Sequence, residues 1–91
     1  MEDDMAYQYK IMDQIGVLSG NDEGKFTTEV NLISHNNSMP KIDIRHWDHR
    51  GDIPKMLKGI ALTVEEANIL FDLLNENYMK LFGNLSNDGL R

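Results

Sequence analysis

"KMLKGIALTVEEANIL", residues 55–70, changes its structural signal halfway along, and that change decides the fold class. Lys55–Leu62 reads as a short strand in which Gly59 permits a bend or a close backbone approach. Then "TVEE" spells a capping box: the Thr63 hydroxyl is placed to accept from the Glu66 N–H, and the Glu66 carboxylate to reach back to the Thr63 N–H. From there Val64, Ala67, Leu70, Phe71, Leu74, Tyr78, Leu81 and Phe82 fall within roughly 120° of arc at 100° per residue, the width of a core-facing stripe. Ile69 and Leu73 lie on another side, four apart, and read as a partner surface, while Gly83-Asn84 supplies a left-handed C-cap. A strand therefore gives way to one helix of about 20 residues, roughly 30 Å long, which is expected to cover a sheet.

Upstream the strand signals repeat. "KIDIRHW", residues 41–47, alternates, with Ile42, Ile44 and His46 to one side and Lys41, Asp43, Arg45 and Trp47 to the other. The first set is expected to point inward and the second into solvent. "KFTTEVNLISH", residues 25–35, is a second alternating run, and "YQYKIMDQIGVL" predicts a strand over about 8–18 with a bulge at Gly16. "SGNDEG", "NNSMP" and "DHRGDIP" are the turns between them. The fold expected is α+β: four antiparallel strands, then one helix, in a single domain over residues 7–83. Polar tails are expected at 1–6 and 84–91.

Bulk properties narrow the function. At 91 residues the chain holds one modest core, and a second copy would help to stabilise it. It has no cysteine, so disulfides and thiolate metal sites are excluded and a reducing, cytoplasmic setting is expected. No apolar run reaches a membrane-spanning length, and the acidic start "MEDDMAYQY" lacks the order of a secretory signal. A net charge of −6 argues against a protein that coats phosphate through bulk Lys and Arg, so any nucleic-acid contact must be local and partly non-electrostatic.

His46-x-x-His49 beside Asp48 and Asp52 has the look of zinc ligands, yet no third or fourth convergent ligand accompanies it, and no metal is expected. No Ser or Lys sits in an activating motif, and there is no P-loop or GxGxxG, so neither an enzyme nor a cofactor is expected. What remains is Trp47 next to Arg45. An indole in water invites a cover, and a stacked base flanked by cations on phosphates is one that a net-acidic protein could still bind.

"PKIDIRHWD" followed by "KMLKGIALTVEEANIL" resembles the positive cofactor four family of transcriptional coactivators, especially its small bacterial members. The match is strong over about residues 40–74, and the upstream strands agree with it in character. The resemblance implies a curved four-stranded antiparallel sheet plus helix, a homodimer, and a groove for single-stranded DNA, with RNA as the alternative strand, serving transcription, replication or repair. Carried onto this sequence, it assigns nucleic-acid contact to Arg45, Trp47 and Lys58. Lys41, Lys55 and Lys25 follow from position, and Ile69 and Leu73 would serve the dimer. Relatives often place more aromatic and basic residues on the second strand, where Lys25 is this chain's sole cation. The competing expectation is an acidic protein-interaction domain that has lost DNA binding.

Overall fold

The computed structural model describes residues 7–89, with side chains through residue 83. The expected tail at 1–6 lies outside them. Four strands appear in chain order, β1 (Tyr9–Gly20), β2 (Phe26–His35), β3 (Lys41–Asp48) and β4 (Lys55–Leu62), followed by α1 (Val64–Glu76) and α2 (Tyr78–Gly89). The strands form an antiparallel meander in the order β1-β2-β3-β4, so the α+β expectation holds. Asn36 and Asn37 both take positive φ, 51° and 64°, and the Ser38 N–H donates to the His35 carbonyl at 2.9 Å, closing the β2–β3 turn.

The capping box forms as its spelling requires: Glu66 N–H donates to Thr63 Oγ1 at 3.0 Å, and Thr63 N–H to Glu66 Oε1 at 2.9 Å. The single helix expected beyond it is instead broken at Asn77. There the backbone turns to φ −108°, ψ 19°, and the side-chain amide donates to the Leu73 carbonyl at 2.8 Å, satisfying a helix end from within. The second helix then runs through Gly83-Asn84 to Gly89, so the expected C-cap there is absent and residues 84–89 of the expected tail are helical; 90–91 lie outside the described residues.

β1 also departs from simple alternation. Its register against β2 slips three times, between Ile11 and Asp13, Gln14 and Gly16, and Val17 and Ser19, and the residues skipped are Met12, Ile15 and Leu18. All three are large, apolar and exposed. Gly16 thus lies beside one bulge of three.

The largest correction concerns which sheet face is dry. Residues directly opposed across strands share a face. One face carries Thr27 with Trp47, Glu29 with Arg45 and Gly59, Asn31 with Asp43 and Ala61, and Ile33 with Lys41. The other carries Val30 with Ile44 and Ile60, and Leu32 with Ile42 and Leu62. The first face, expected to be wet, contains the fully buried Ile33, Asn31, Asp43 and Trp47. The second, expected to be dry, is half-open, with Ile60 exposed. The reason is cover from the edges: Tyr7, just before β1, reaches across the first face to Met56 Sδ on the far edge strand at 3.7 Å, which makes this the concave side. Side chains from both edges therefore close over that face.

The helix does not cover the other face. No residue of α1 is buried, and Val64, Leu70, Phe71 and Leu74 of the expected core stripe are exposed together with Ile69 and Leu73. The radius of gyration, 16.3 Å, exceeds the roughly 13 Å of a compact 100-residue domain. The chain leaves much of its own apolar surface uncovered.

Candidate nucleic-acid interface

Trp47, read from sequence as the exposed stacking ring, is 1% exposed. Tyr9 packs edge-on against it with ring centroids 5.9 Å apart, and Met56 stands opposite it on β4. Its indole N–H has no hydrogen-bond partner. A base cannot stack on this ring while the concave face keeps its shape. On this face the exposed aromatic surface belongs to Tyr7 and Tyr9, 51% and 36% exposed, whose rings stack at 6.1 Å. The sequence reading missed both, although Tyr-x-Tyr at the start of a strand places two rings on one side.

Arg45 is likewise committed elsewhere. Its Nε donates to Asp43 Oδ1 at 2.5 Å, its Nη2 to Asp43 Oδ2 at 2.7 Å, and its Nη1 to the Leu57 carbonyl at 3.0 Å. This is a bidentate pair on a carboxylate with no solvent exposure. The hydrogen bonds that Arg45 donates to Asp43 hold its pKa above the usual value. His35 Nε2 meets the same Asp43 at 3.0 Å, and its Nδ1 meets the Tyr7 hydroxyl. Burial pushes the Tyr7 phenol up. Arg45 therefore orders the concave face first, and its positive charge is largely cancelled where a phosphate would arrive.

Gly59 makes this geometry possible. It stands opposite Arg45 across β3–β4, and a Cβ built on it would lie 1.9 Å from Arg45 Cβ and 2.6 Å from the Ile44 carbonyl oxygen. The close approach expected at this glycine is present, and the space it leaves is filled by the arginine.

The two histidines of the apparent zinc motif part company. His46 is exposed on the open face and pairs with Thr28 Oγ1 at 2.7 Å. His49 Nε2 lies 2.9 Å from both Glu29 Oε2 and Thr27 Oγ1. Burial works against the Glu29 carboxylate, but hydrogen bonds from Thr27, His49 and Asn31 outweigh it and hold its pKa below the usual range. Among the described residues no group of three or more metal-ligating side chains converges.

Of the expected lysines, Lys55 and Lys58 are exposed on β4 and Lys41 is half-buried on the concave face. Lys25 is tied to Glu23 at 3.0 Å. Ile69 and Leu73 are exposed, as a partner surface requires. A second basic residue was read only as part of a turn: Arg50, whose guanidinium lies 4.8 Å from the centroid of the Phe26 ring. Its Nε and Nη2 donate to Asp48 Oδ1 and Oδ2 at 3.0 and 2.8 Å. The hydrogen bond from the Arg50 side chain, with one from its backbone, lowers the Asp48 pKa to about 2. No described helix is long and apolar enough to cross a membrane.

No family model matches the chain. Among curated proteins it is similar to one from Treponema pallidum (strain Nichols), described as an uncharacterized protein. The two are 39% identical over 69 residues, covering 76% of this chain and 78% of that one.

Proposed function

The chain belongs to the family of this Treponema pallidum protein, and we propose that it works as a homodimer holding single-stranded DNA against the concave face of its sheet. The observation that carries the binding is the exposed Tyr7–Tyr9 stack at the rim of that face, with Trp47 packed behind Tyr9. Bases stack on aromatic rings with about 1–3 kcal/mol each and little regard for sequence, which suits a protein whose net charge repels phosphate. Lys41, Lys58 and Lys25 supply local phosphate contacts, while Lys55, opposite Asp48, lies on the other face. Arg45 positions the face through Asp43, and Trp47 supports Tyr9 from beneath. The strand–helix order agrees with what the resemblance to the positive cofactor four family implies, and the holding of melted DNA in transcription, replication or repair is the role this reading assigns.

What the single chain leaves bare supports the dimer. An α1 without one buried residue and a half-open sheet face bearing Val30, Leu32, Ile42, Ile44 and Ile60 lack the cover that apolar surface of this extent requires. A second copy supplies it, with Ile69 and Leu73 in the contact.

Fluorescence anisotropy of a labelled oligo-dT at several salt concentrations tests the binding. Micromolar or tighter affinity that weakens with salt is expected, with Tyr9→Ala losing roughly 5- to 150-fold, the equivalent of one stacked base. Absence of binding at low salt overturns the reading in favour of an acidic protein-interaction domain. Sedimentation at tens of micromolar tests the dimer, and a monomer there contradicts it.

A further inference from the structure

Arg50 is a long surface side chain that the fold holds still. Its backbone N–H donates to Asp48 Oδ1 at 2.9 Å, its Nε and Nη2 grip the same carboxylate, and Phe26 lies against its guanidinium at 4.8 Å. Even so, the side chain is 61% exposed. A free arginine would give up rotamer entropy on meeting a ligand; this one has already done so in the unliganded chain.

The pattern of commitment also says which ligand fits. A guanidinium recognises phosphate or carboxylate through the two parallel N–H bonds of one edge. Here the Nε–Nη2 edge is spent on Asp48, whose charge cancels that of Arg50. What the group offers outward is its plane, together with the two Nη1 N–H groups and the second N–H of Nη2, on a guanidinium whose charge Asp48 already offsets. A guanidinium plane is a stacking surface for a nucleobase. An open cleft of about 430 Å³ adjoins it, lined by Asp48, Arg50, Gly51, Ile53 and Lys55, within the roughly 300–1,000 Å³ typical of small-ligand sites. Ile53 is 77% exposed and gives the cleft an apolar wall, and a Cβ on Gly51 would meet nothing closer than 3.9 Å, so a ring can approach the backbone there. Lys55 stands directly across the β3–β4 ladder from Asp48.

We propose that this cleft is a nucleobase subsite, in which the plane of Arg50, backed by Phe26 and fixed by Asp48, stacks one base and Lys55 takes the neighbouring phosphate. The proposal rests on the single-strand reading above and extends it to residues outside the Tyr7–Tyr9 face.

The test is oligo-dT binding by the full chain and by Arg50→Lys, which keeps the charge and loses the plane. The variant is expected to bind about 5- to 150-fold more weakly than the parent, with the same slope of affinity against salt. Wild-type affinity in Arg50→Lys, with its unfolding midpoint unchanged, overturns the subsite and leaves the single-strand reading standing. If the parent itself does not bind, both fall. An independent readout in the unmutated protein guards against a folding defect in the variant. The Arg50 Nε–H resonance is expected to move upfield under the ring current of a stacked base when oligo-dT is added, and an unmoved resonance at saturation overturns the subsite.

Discussion

Gly59→Ala is the sharpest perturbation the sheet offers. The added methyl carbon would sit 1.9 Å from Arg45 Cβ, 2.7 Å from Arg45 Cα and 2.6 Å from the Ile44 carbonyl oxygen. Carbon atoms rest about 3.5–4.0 Å apart, so β3 and β4 must separate by well over an ångström at the point where they pair. Two of the three obstacles are backbone, which cannot rotate aside. Overpacking in a well-fitted site costs about 1–3 kcal/mol. With backbone in the way the expected loss lies at or above the top of that range, and a 60–100-residue domain loses about 4–8 °C of Tm per kcal/mol. Gly16→Ala is the matched control: it too lies in a strand without positive φ, but nothing stands within 4 Å of its Cβ position. There the reduced freedom of the unfolded chain should stabilise by about 0.4–1 kcal/mol. Urea unfolding of both variants at one protein concentration, followed by Trp47 emission, reads the difference. Gly59→Ala within about 0.5 kcal/mol of the parent, a change of the size ordinary surface substitutions make, would refute the close approach.

Two further outcomes follow from the polar groups of the concave face and its border. Asp43→Ala strands Arg45 and His35 without their shared acceptor, and breaking a buried pair from one side should cost about 3–5 kcal/mol by urea unfolding; a loss under about 1 kcal/mol would show the carboxylate to be solvated. Asp48 has its folded pKa lowered to about 2, below the roughly 3.9 of an unfolded Asp, so its contribution to stability is complete above that unfolded value and is lost as pH falls through about 2. The gap in unfolding midpoint between the parent and Asp48→Asn should therefore hold steady from pH 7 to 5 and close near pH 2, and a gap already closed at pH 4 contradicts the Arg50 pairing.

The order of elements was legible because it depends on local signals: alternation in β2 and β3, turn residues between them, and a capping box whose two hydrogen bonds form as spelled. Which face is buried was not legible, and the reason is physical. Alternation separates Lys41, Asp43, Arg45 and Trp47 from Ile42 and Ile44, but the concave side is set by curl and by rings arriving from Tyr7 and Tyr9, far away in sequence. Polarity pointed the wrong way because Asp43, Asn31 and Arg45 satisfy one another or nearby groups in hydrogen bonds, and a satisfied polar group can be buried. The break at Asn77 was hidden for a related reason: the apolar stripe continues across it, while a single side-chain amide ends the first helix. The site shifted accordingly, from Trp47 and Arg45 to Tyr7, Tyr9 and Arg50.

The three slips in β1 have a consequence for how the chain survives in a crowded solution. β1 is an edge strand of 12 residues with Met12, Ile15 and Leu18 in the open, the kind of edge on which chains aggregate by adding strand to strand. Its extra residues recur every third position, so an incoming straight strand would fall out of hydrogen-bonding step after two or three residues. The strand can expose a sticky border because its irregular backbone makes a poor template for fibre growth.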